Sequence, residues 1–294
     1  MPNGRVFPSP FGISTIGSRA VAGKLSADLL TNLKDSDGRT LASAIQLLGG
    51  DPANISFAQK VPEDIMAYVE LHIEQGPSLF KQQIPVGIVN GIVGIYRGKL
   101  EINGQMDHAG TTPMHIRKDA LTAAAEVILA IETICRETDD LVGTVGRIDA
   151  FPNSLNVVPG SVACGMEIRT PKTSRAQHAI SRIEKAIDDI VNRRKVQIHF
   201  EIELSSKPVE FEQAMIARIR ETCQRLDIPY LELPSGAGHD ASHMAEIAPT
   251  GMIFIPSRDG RSHCPEEWSE YEHVCIGTQL LAELVLAIDR EEKI

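Results

Sequence analysis

The alternation of hydrophobic and polar side chains in the middle of the chain predicts a unit of four strands and two helices. Four segments have the pattern of strands: residues 98–103, 143–150, 161–169 and 196–204. Two segments repeat apolar side chains at the spacing of a helix face: residues 119–137 and 174–194. We expect Ser174 to cap the second helix. The order strand, helix, strand, strand, helix, strand predicts a four-stranded sheet with both helices on one face, the ferredoxin-like arrangement.

The flanking segments predict a layered α/β unit. Residues 40–48 have the pattern of a helix closed by two glycines, and residues 65–74 form an apolar, strand-like run. The last part of the chain has the pattern of a helix at 210–226, a glycine-containing loop, a short helix, a strand at 250–255 and a helix at 272–290. Helices that alternate with strands in this way are typical of an α/β layer.

These patterns divide the chain into three segments. Residues 1–95 and 208–294 are expected to form one α/β domain, and residues 96–207 an inserted ferredoxin-like α+β domain. The inserted sheet has an open edge that a second copy of the chain could extend, which favours a homodimer.

Composition excludes several classes of partner. The net charge of −10 over 294 residues argues against nucleic acid and anionic membranes. The sequence shows no apolar run near the roughly 18 residues that span a bilayer, and residues 1–10 lack the apolar core of a signal peptide. The cysteines form no CxxC pair, which is typical of reduced thiols: Cys135, Cys164, Cys223, Cys264 and Cys275. We expect a cytoplasmic protein.

Two histidines at the ends of apolar runs are candidate metal ligands. His72 lies in the run 65–74, and His263 follows the strand-like run 251–255 in a glycine-containing turn. Ligands and metals are usually held at the ends of strands in α/β sheets, and imidazole is the commonest side-chain ligand for first-row metals. A lone loop histidine is more often structural, but two of them suggest a metal site assembled from distant segments. Cys264 is interpreted as a small residue beside the candidate ligand His263 and not as a ligand itself.

The predicted inserted domain carries three further candidates, each with a structural alternative. His108 lies in a loop of small residues and could donate a hydrogen bond to a carbonyl as negative charge develops, or be a surface histidine. The Asn156 amide could bind a ligand, or bond its own backbone in a turn. Arg169 could grip a carboxylate with two hydrogen bonds, or form an ion pair with Glu167.

A glycine-containing loop precedes the predicted short helix. Its backbone N–H groups, at Gly236 and Gly238, could hold an oxyanion or a carboxylate. The pattern is weak on its own, as is His239 beside it, and Asp240 is expected to cap the helix. Ser235 lies in no Gly-x-Ser-x-Gly motif and Cys264 lacks a separate base, so a serine or cysteine nucleophile has little support.

Taken together, these motifs resemble one family. They are ELHIEQGP (70–77), DHAGTTPMHIRKDA (107–120), NVVPG (156–160), EIR (167–169), SGAGHDA (235–241) and SHCPEE (262–267). The chain resembles the N-carbamoyl-L-amino acid hydrolases, allantoate amidohydrolases and β-ureidopropionases, within the aminoacylase/carboxypeptidase-like clan of dinuclear zinc hydrolases. The resemblance covers nearly the whole chain. It implies a zinc-peptidase-like α/β catalytic domain with an inserted lid domain through which two subunits dimerise.

The resemblance also implies a reaction and a set of roles. The reaction is hydrolysis of a ureido C–N bond with two divalent metal ions per site, zinc or else manganese, cobalt or nickel. His72 and His263 match metal ligands, one for each ion. The positions that match substrate contacts are Gln75, His108, Asn156, Arg169, Gly236 and Gly238. Among them, His108 matches the lid histidine that polarises the scissile carbonyl in the partner subunit's site, and Asn156 and Arg169 match groups that hold the substrate carboxylate.

One departure from the family affects these expectations. Family members carry a further stretch before the point where this chain begins, with a His-x-Asp motif, an Asp-Gly and a Glu-Glu pair that supply the other ligands and the general base. Residues 3–7 match the end of that stretch, and Glu266 and Glu267 do not replace its carboxylates. We therefore expect an N-terminally incomplete α/β domain with reduced metal occupancy. The alternative is a non-catalytic, dimeric carboxylate-binding protein.

Overall fold

The computed structural model describes residues 10–291 and divides into two units. One contains the described residues up to Ile92 and from Glu210 onward, and the other is Val93–Val209. The segment 3–7, which the sequence relates to the family, lies outside the described residues. The helices are α1 (Ile16–Val21), α2 (Ala27–Asn32), α3 (Leu41–Leu47), α4 (Ser78–Gln82), α5 (Ala120–Arg136), α6 (Thr173–Arg194), α7 (Gln213–Arg225), α8 (Ala241–Met244) and α9 (Tyr271–Glu291).

The strands of the two units form separate sheets. In chain order they are β1 (Tyr68–Ile73), β2 (Val86–Ile92), β3 (Gly94–Asn103), β4 (Asp107–His108), β5 (Val142–Phe151), β6 (Val157–Val158), β7 (Ser161–Thr170), β8 (Gln197–Ser206), β9 (Val209–Glu210), β10 (Tyr230–Ser235) and β11 (Thr250–Ile255). The fold is therefore a mixed α/β architecture, as the sequence predicted.

The first unit is built on a mixed sheet with the order β1-β11-β2-β10. β1 runs parallel to β11, β10 runs parallel to β2, and β11 is antiparallel to β2. All six residues of β11 are buried, because α7 and α9 pack on this sheet. At Gly277 of α9, an added Cβ would lie 2.7 Å from Ile255 Cγ2 and 2.9 Å from Leu71 Cδ1, so glycine permits this close approach.

The second unit confirms the predicted order of strands and helices. Its sheet runs β5-β7-β3-β8 and is antiparallel throughout. α5 and α6 pack against each other and against the sheet, and their buried side chains join those of β3 and β7 in one hydrophobic core. Asp119 caps α5 by accepting from the N–H groups of Leu121 and Thr122.

Two local expectations were wrong, and two strands were not predicted. α6 begins at Thr173 with Lys172 at the N-cap, so Ser174 lies inside the helix and does not cap it. Asp240 lies at the N-cap of α8, but its side chain makes no capping hydrogen bond, and the next N–H groups, of Ser242 and His243, donate to backbone carbonyls. Strand β2 was not predicted, and neither was β10, which follows the predicted helix 210–226 and runs into the predicted glycine-containing loop. Both are short strands whose pairing comes from distant neighbours.

Helix α9 is an exception to the expectation that no segment is long and apolar enough to span a bilayer. Over Tyr271–Arg290 it is long and apolar enough to cross a membrane by length and composition, with a mean hydropathy of 1.3. Leu280, Leu284 and Ile288 are buried, and the helix packs on β1 and β11. Its apolar stripe at helical spacing is therefore that of a helix packed on a sheet.

Candidate active site

Strand β1 presents a carboxylate and an imidazole on one face. Glu70 and His72 are two residues apart, and alternate side chains of a strand point to the same side. Both are half-buried, and β1 lies in contact with α8, which is separated from His239 by Asp240 alone. The result is a group of Glu70, His72 and His239 whose potential ligand atoms lie within 4.8 Å of one another.

His72 has its ring orientation set by the backbone. Its Nδ1 lies 2.8 Å from the carbonyl oxygen of Ile73, and a carbonyl only accepts, so Nδ1 carries the hydrogen. The lone pair of the neutral ring is then on Nε2, the atom that can bind a metal.

His239 is buried to 3% exposure between two polar partners. Its Nε2 lies 2.7 Å from Oγ of the fully buried Ser235, and its Nδ1 lies 3.5 Å from Oε1 of Glu70. Sequence reasoning treated His239 as weak and did not select Glu70. The spacing of Glu70 and His72 was an available signal, whereas the approach of His239 depends on the tertiary fold.

Glu70 is an ionised carboxylate in this setting. Its Oε2 accepts from the N–H of Ala241 at 2.9 Å and from the hydroxyl of Tyr68 at 3.0 Å. Burial raises the pKa of Glu70, but its contacts with His239, Ala241 and Tyr68 outweigh burial and bring the pKa below its ordinary value. Burial and the nearby Glu70 charge raise the pKa of Tyr68, so its hydroxyl stays protonated and donates.

A second polar network joins the end of β1 to the loop that carries His263. Gln75 Nε2 donates to Ser262 Oγ at 2.9 Å and lies 3.5 Å from Nε2 of the exposed His263. Glu267 Oε2 accepts from Ser262 Oγ at 2.5 Å and from the backbone N–H of His263 at 3.2 Å. The structure therefore brings Gln75 and His263 together, although His263 is not part of the group of three potential ligands.

The loop between β10 and α8 leaves space at its glycines. An ideal Cβ added to Gly236 or Gly238 meets no atom within 4 Å. The side-chain side of both residues is therefore open in this structure. The N–H of Ala237, between them, donates to Ser235 Oγ at 3.1 Å.

In the second unit, His108 lies on a two-stranded ribbon, and Asn156 is the turn residue directly before the other strand. β4 pairs with β6, and the N–H of Ala109 donates to the Asn156 carbonyl at 2.9 Å. Nδ1 of His108 accepts from the N–H of Gly110 at 3.0 Å, which assigns the proton of the neutral ring to Nε2. Oδ1 of Asn156 accepts from Ser154 Oγ at 2.7 Å, so the donor end of the amide is the NH2 group.

Arg169 forms an ion pair with Glu167, the arrangement that the sequence analysis gave as the alternative to binding a ligand carboxylate. Its Nε donates to Glu167 Oε1 at 2.6 Å, and Arg97 Nε donates to Oε2 of the same carboxylate at 2.7 Å. Burial raises the pKa of Glu167, but the two guanidinium groups lower it below its ordinary value. Arg169 is half-buried on β7.

The α/β unit thus gathers a carboxylate and two imidazoles beside strand β1, and it is joined in sequence to an α+β unit. Residues 13–287 match the Peptidase family M20/M25/M40, and the chain belongs to this family. It is 35% identical to the N-carbamoyl-L-amino-acid amidohydrolase of Paenarthrobacter aurescens over 281 residues, which are 95% of this chain and 68% of that protein.

Two further comparisons agree. The allantoate amidohydrolase of Escherichia coli is 34% identical over 267 residues, 90% of this chain and 64% of that protein. The crystal structure of an amidase of the hydantoinase/carbamoylase family from Burkholderia multivorans superposes with a TM-score of 0.86 at 30% identity, covering 96% of this chain and 68% of that one. These relatives are amidohydrolases that act on C–N bonds other than peptide bonds, and carbamoyl amino acids and allantoate are ureido compounds.

Proposed function

We propose that the protein is a metal-dependent amidohydrolase that cleaves the ureido C–N bond of an N-carbamoyl amino acid or an allantoate-like substrate. The observation that carries this proposal is the group formed by Glu70, His72 and His239, in a chain of the M20 family. The similarity to carbamoylases and allantoate hydrolases supports the substrate class.

The residues present fit one divalent ion. His72 offers Nε2, with Nδ1 held by the backbone, and Glu70 offers a charged carboxylate. Among residues 10–291, no second group of three or more close ligands includes His263, so the pair of ions implied by the resemblance has support for one member only. A bound ion of this kind polarises a carbonyl and lowers the pKa of water. Zinc, manganese, cobalt and nickel all suit these ligand types.

Three side chains of the second unit are proposed to act on the substrate. His108, protonated at Nε2, would donate to the carbonyl oxygen as negative charge develops there. The NH2 group of Asn156 and the guanidinium of Arg169 would hold the substrate carboxylate. Arg169 would then exchange or share its bond to Glu167 with the substrate.

The remaining positions are proposed to shape the binding site. Gln75 would contact the substrate from its position beside His263, and Gly236 and Gly238 would let the substrate approach the backbone. We also propose that the enzyme is soluble and cytoplasmic and that the second unit, acting as the lid, forms a homodimer. Edge strand β5 supports this, because Val142, Ile148 and Phe151 are exposed on it.

Ammonia release tests the function. The purified protein, saturated in turn with zinc, manganese, cobalt and nickel, is incubated with a panel of N-carbamoyl-L-amino acids and with allantoate. We expect metal-dependent release of ammonia that EDTA abolishes. No release from any of these compounds with any metal would contradict the proposal. Substrate-dependent thermal stabilisation that survives EDTA would instead support a non-catalytic carboxylate-binding protein.

A further inference from the structure

Gln75 has a backbone conformation that residues with side chains seldom adopt. It lies two residues after the end of β1 and has a φ of 56°, in the left-handed region where residues other than glycine are uncommon. His263, in the loop that meets it, has a φ of 58°. Such conformations persist only where the surrounding structure holds them, and they cluster at functional sites. The residues that hold Gln75 in place are therefore part of what the site needs.

Glu74 holds the turn that contains Gln75. Only 8% of Glu74 is exposed, and its carboxylate bends back to the start of α4. Its Oε1 accepts from the N–H of Ser78 and its Oε2 from the N–H of Leu79, both at 2.8 Å. An ideal Cβ at Gly76 would lie 2.8 Å from Oε1, so glycine makes room for this carboxylate. Because a buried carboxylate needs such partners, the two hydrogen bonds fix the shape of the turn.

Ser257 holds the backbone of Gln75 itself. Ser257 follows β11, has 0% exposure, and accepts from the N–H of Gln75 at 3.0 Å through its Oγ. Further along the same loop, an ideal Cβ at Gly260 would lie 2.6 Å from the backbone nitrogen of Pro77. A backbone atom cannot move aside like a flexible side chain, so only glycine allows this approach, and the φ of 69° at Gly260 also favours glycine. The loop after β11 is thereby locked against the turn after β1.

These contacts leave one atom of the Gln75 side chain for a ligand. Ser262 donates its hydroxyl hydrogen to Oε2 of Glu267 at 2.5 Å, so its oxygen accepts from Gln75. The NH2 group of Gln75 is therefore the end that lies 2.9 Å from Ser262 Oγ. Among residues 10–291, no group donates to Oε1 of Gln75. This carbonyl oxygen can accept a hydrogen bond from an N–H of a ureido group.

We propose that Glu74 and Ser257 are positioning residues, which hold Gln75 so that its carbonyl oxygen accepts a hydrogen bond from the ureido group of the substrate. This role rests on the proposed function, in which Gln75 contacts the substrate. Glu74 and Ser257 are both buried and act through Gln75. They differ in this respect from Glu267, which bonds the backbone of His263.

Steady-state kinetics of single and double variants test this role. Gln75→Ala should raise the KM for the ureido substrate about tenfold and change kcat by less than about twofold, because it removes a contact made equally in the ground state and the transition state. Ser257→Ala and Glu74→Gln should each raise the KM by about 3–10-fold, the effect of one lost hydrogen bond. In the Gln75→Ala background, each should change the KM by less than about twofold, because the contact that they support is already absent.

Ser269→Ala is the matched control. The Ser269 hydroxyl donates to the Pro256 carbonyl at 2.8 Å, so the substitution removes a hydrogen bond next to Ser257 and leaves those of Gln75 in place. It should not change the KM. If Ser257→Ala leaves the KM unchanged, or raises it as much in Gln75→Ala as in the wild type, the positioning role is overturned. Circular dichroism checks the fold of each variant, and Ser257→Ala decides the question if Glu74→Gln does not fold.

Amide hydrogen exchange separates the positioning role from the proposed function. In NMR spectra of the wild type, the N–H of Gln75 should be protected, because it donates to a buried hydroxyl. It should exchange about tenfold faster in Ser257→Ala, as expected for one lost hydrogen bond, and at the wild-type rate in Ser269→Ala. Unchanged protection in Ser257→Ala would overturn the positioning role whether or not the protein is active. A wild type that hydrolyses no ureido compound, and in which Ser257→Ala still exposes the N–H of Gln75, would overturn the proposed function alone.

Discussion

The ring of His239 lies edge-on against the ring of His72, with centroids 4.6 Å apart and planes at 76°. These residues are 167 positions apart in the sequence, since one is on β1 and the other precedes α8. Their contact joins the two segments of the first unit at the candidate site. It also explains why the His in SGAGHDA is buried although it follows a glycine-containing loop.

Substitution of the loop glycines should separate binding from stability. An added Cβ at Gly236 or Gly238 meets no atom within 4 Å, and neither residue has a positive φ. We therefore expect Gly236→Ala and Gly238→Ala to change the free energy of unfolding by no more than about 0.5 kcal/mol. If the substrate lies against this backbone, the KM should rise at least about tenfold. Denaturant unfolding and steady-state kinetics give the two numbers, and an unchanged KM would exclude the loop from the substrate site.

His108→Ala should mainly lower kcat. The proton of the neutral ring is on Nε2, and a hydrogen bond to the substrate carbonyl strengthens as negative charge develops, so the transition state loses more than the ground state. Loss of one such donor costs about 100–1,000-fold in kcat. His115→Ala, in the turn Met114–Ile116 of the same unit, is the control. An unchanged kcat in His108→Ala would remove this role.

Glu267 and Glu266 are neighbours with different expected effects. Glu267 Oε2 accepts from Ser262 and from the backbone of His263, whereas Glu266 pairs with Arg261 on the surface. Glu267→Ala should loosen the His263 loop and lower kcat/KM by about tenfold, the lower end of the effect of groups that orient active-site ligands. Glu266→Ala should leave kcat/KM unchanged. Equal effects of the two variants would show that the loop does not need this carboxylate.

His243 is a buried imidazole bonded to the segment before α2. Its Nε2 lies 3.0 Å from Thr15 Oγ1 and its Nδ1 lies 3.2 Å from Lys24 Nζ. Burial lowers the pKa of His243 to about 4, with help from the positive charges of Arg19 and Lys24, while the nearby carboxylates Glu246 and Asp240 oppose the shift. The ring is therefore neutral in the folded protein at pH 7.

This low pKa predicts an acid-sensitive fold. The unfolded chain titrates His243 near pH 6.5, so between about pH 6.5 and 4 it binds more protons than the folded chain, and stability falls as the pH is lowered. The loss is at most about 3 kcal/mol. Urea unfolding from pH 7 to 4 should show a weaker pH dependence in His243→Gln than in the wild type, with His178→Ala as the unchanged control. The same pH dependence of the unfolding free energy in all three proteins would show that His243 does not cause it.

Thiol reactivity should follow burial. Cys135, Cys164 and Cys223 are buried, and burial raises the pKa of each thiol, that of Cys223 to about 12. Cys275 is exposed and Cys264 is partly exposed. A disulfide reagent at pH 8 should therefore modify Cys275 and Cys264 in the native protein, and all five cysteines in denaturant. Fast modification of Cys223 in the native protein would show that α7 opens readily.

Sequence patterns predicted those elements best whose apolar side chains recur at a regular spacing along one helix or strand. The apolar spacing of α5 and the alternation in β8 led to the order of elements in the second unit. β10 was missed because its residues alternate poorly and acquire strand structure by pairing with β2. The capping error at Ser174 has a similar origin, since helix ends depend on one or two residues whose bonds are decided by their neighbours.

The sequence by itself determined the class of fold, the family motifs and the presence of His72 on a strand that ends near a glycine. Only the tertiary structure decided that His239, rather than His263, joins Glu70 and His72. The physical reason is that periodicity records which face of an element is apolar, whereas ligand geometry depends on how separate elements pack. The parallel pairing of β1 with β11 and the position of α8 beside β1 bring Glu70, His72 and His239 within 4.8 Å of one another.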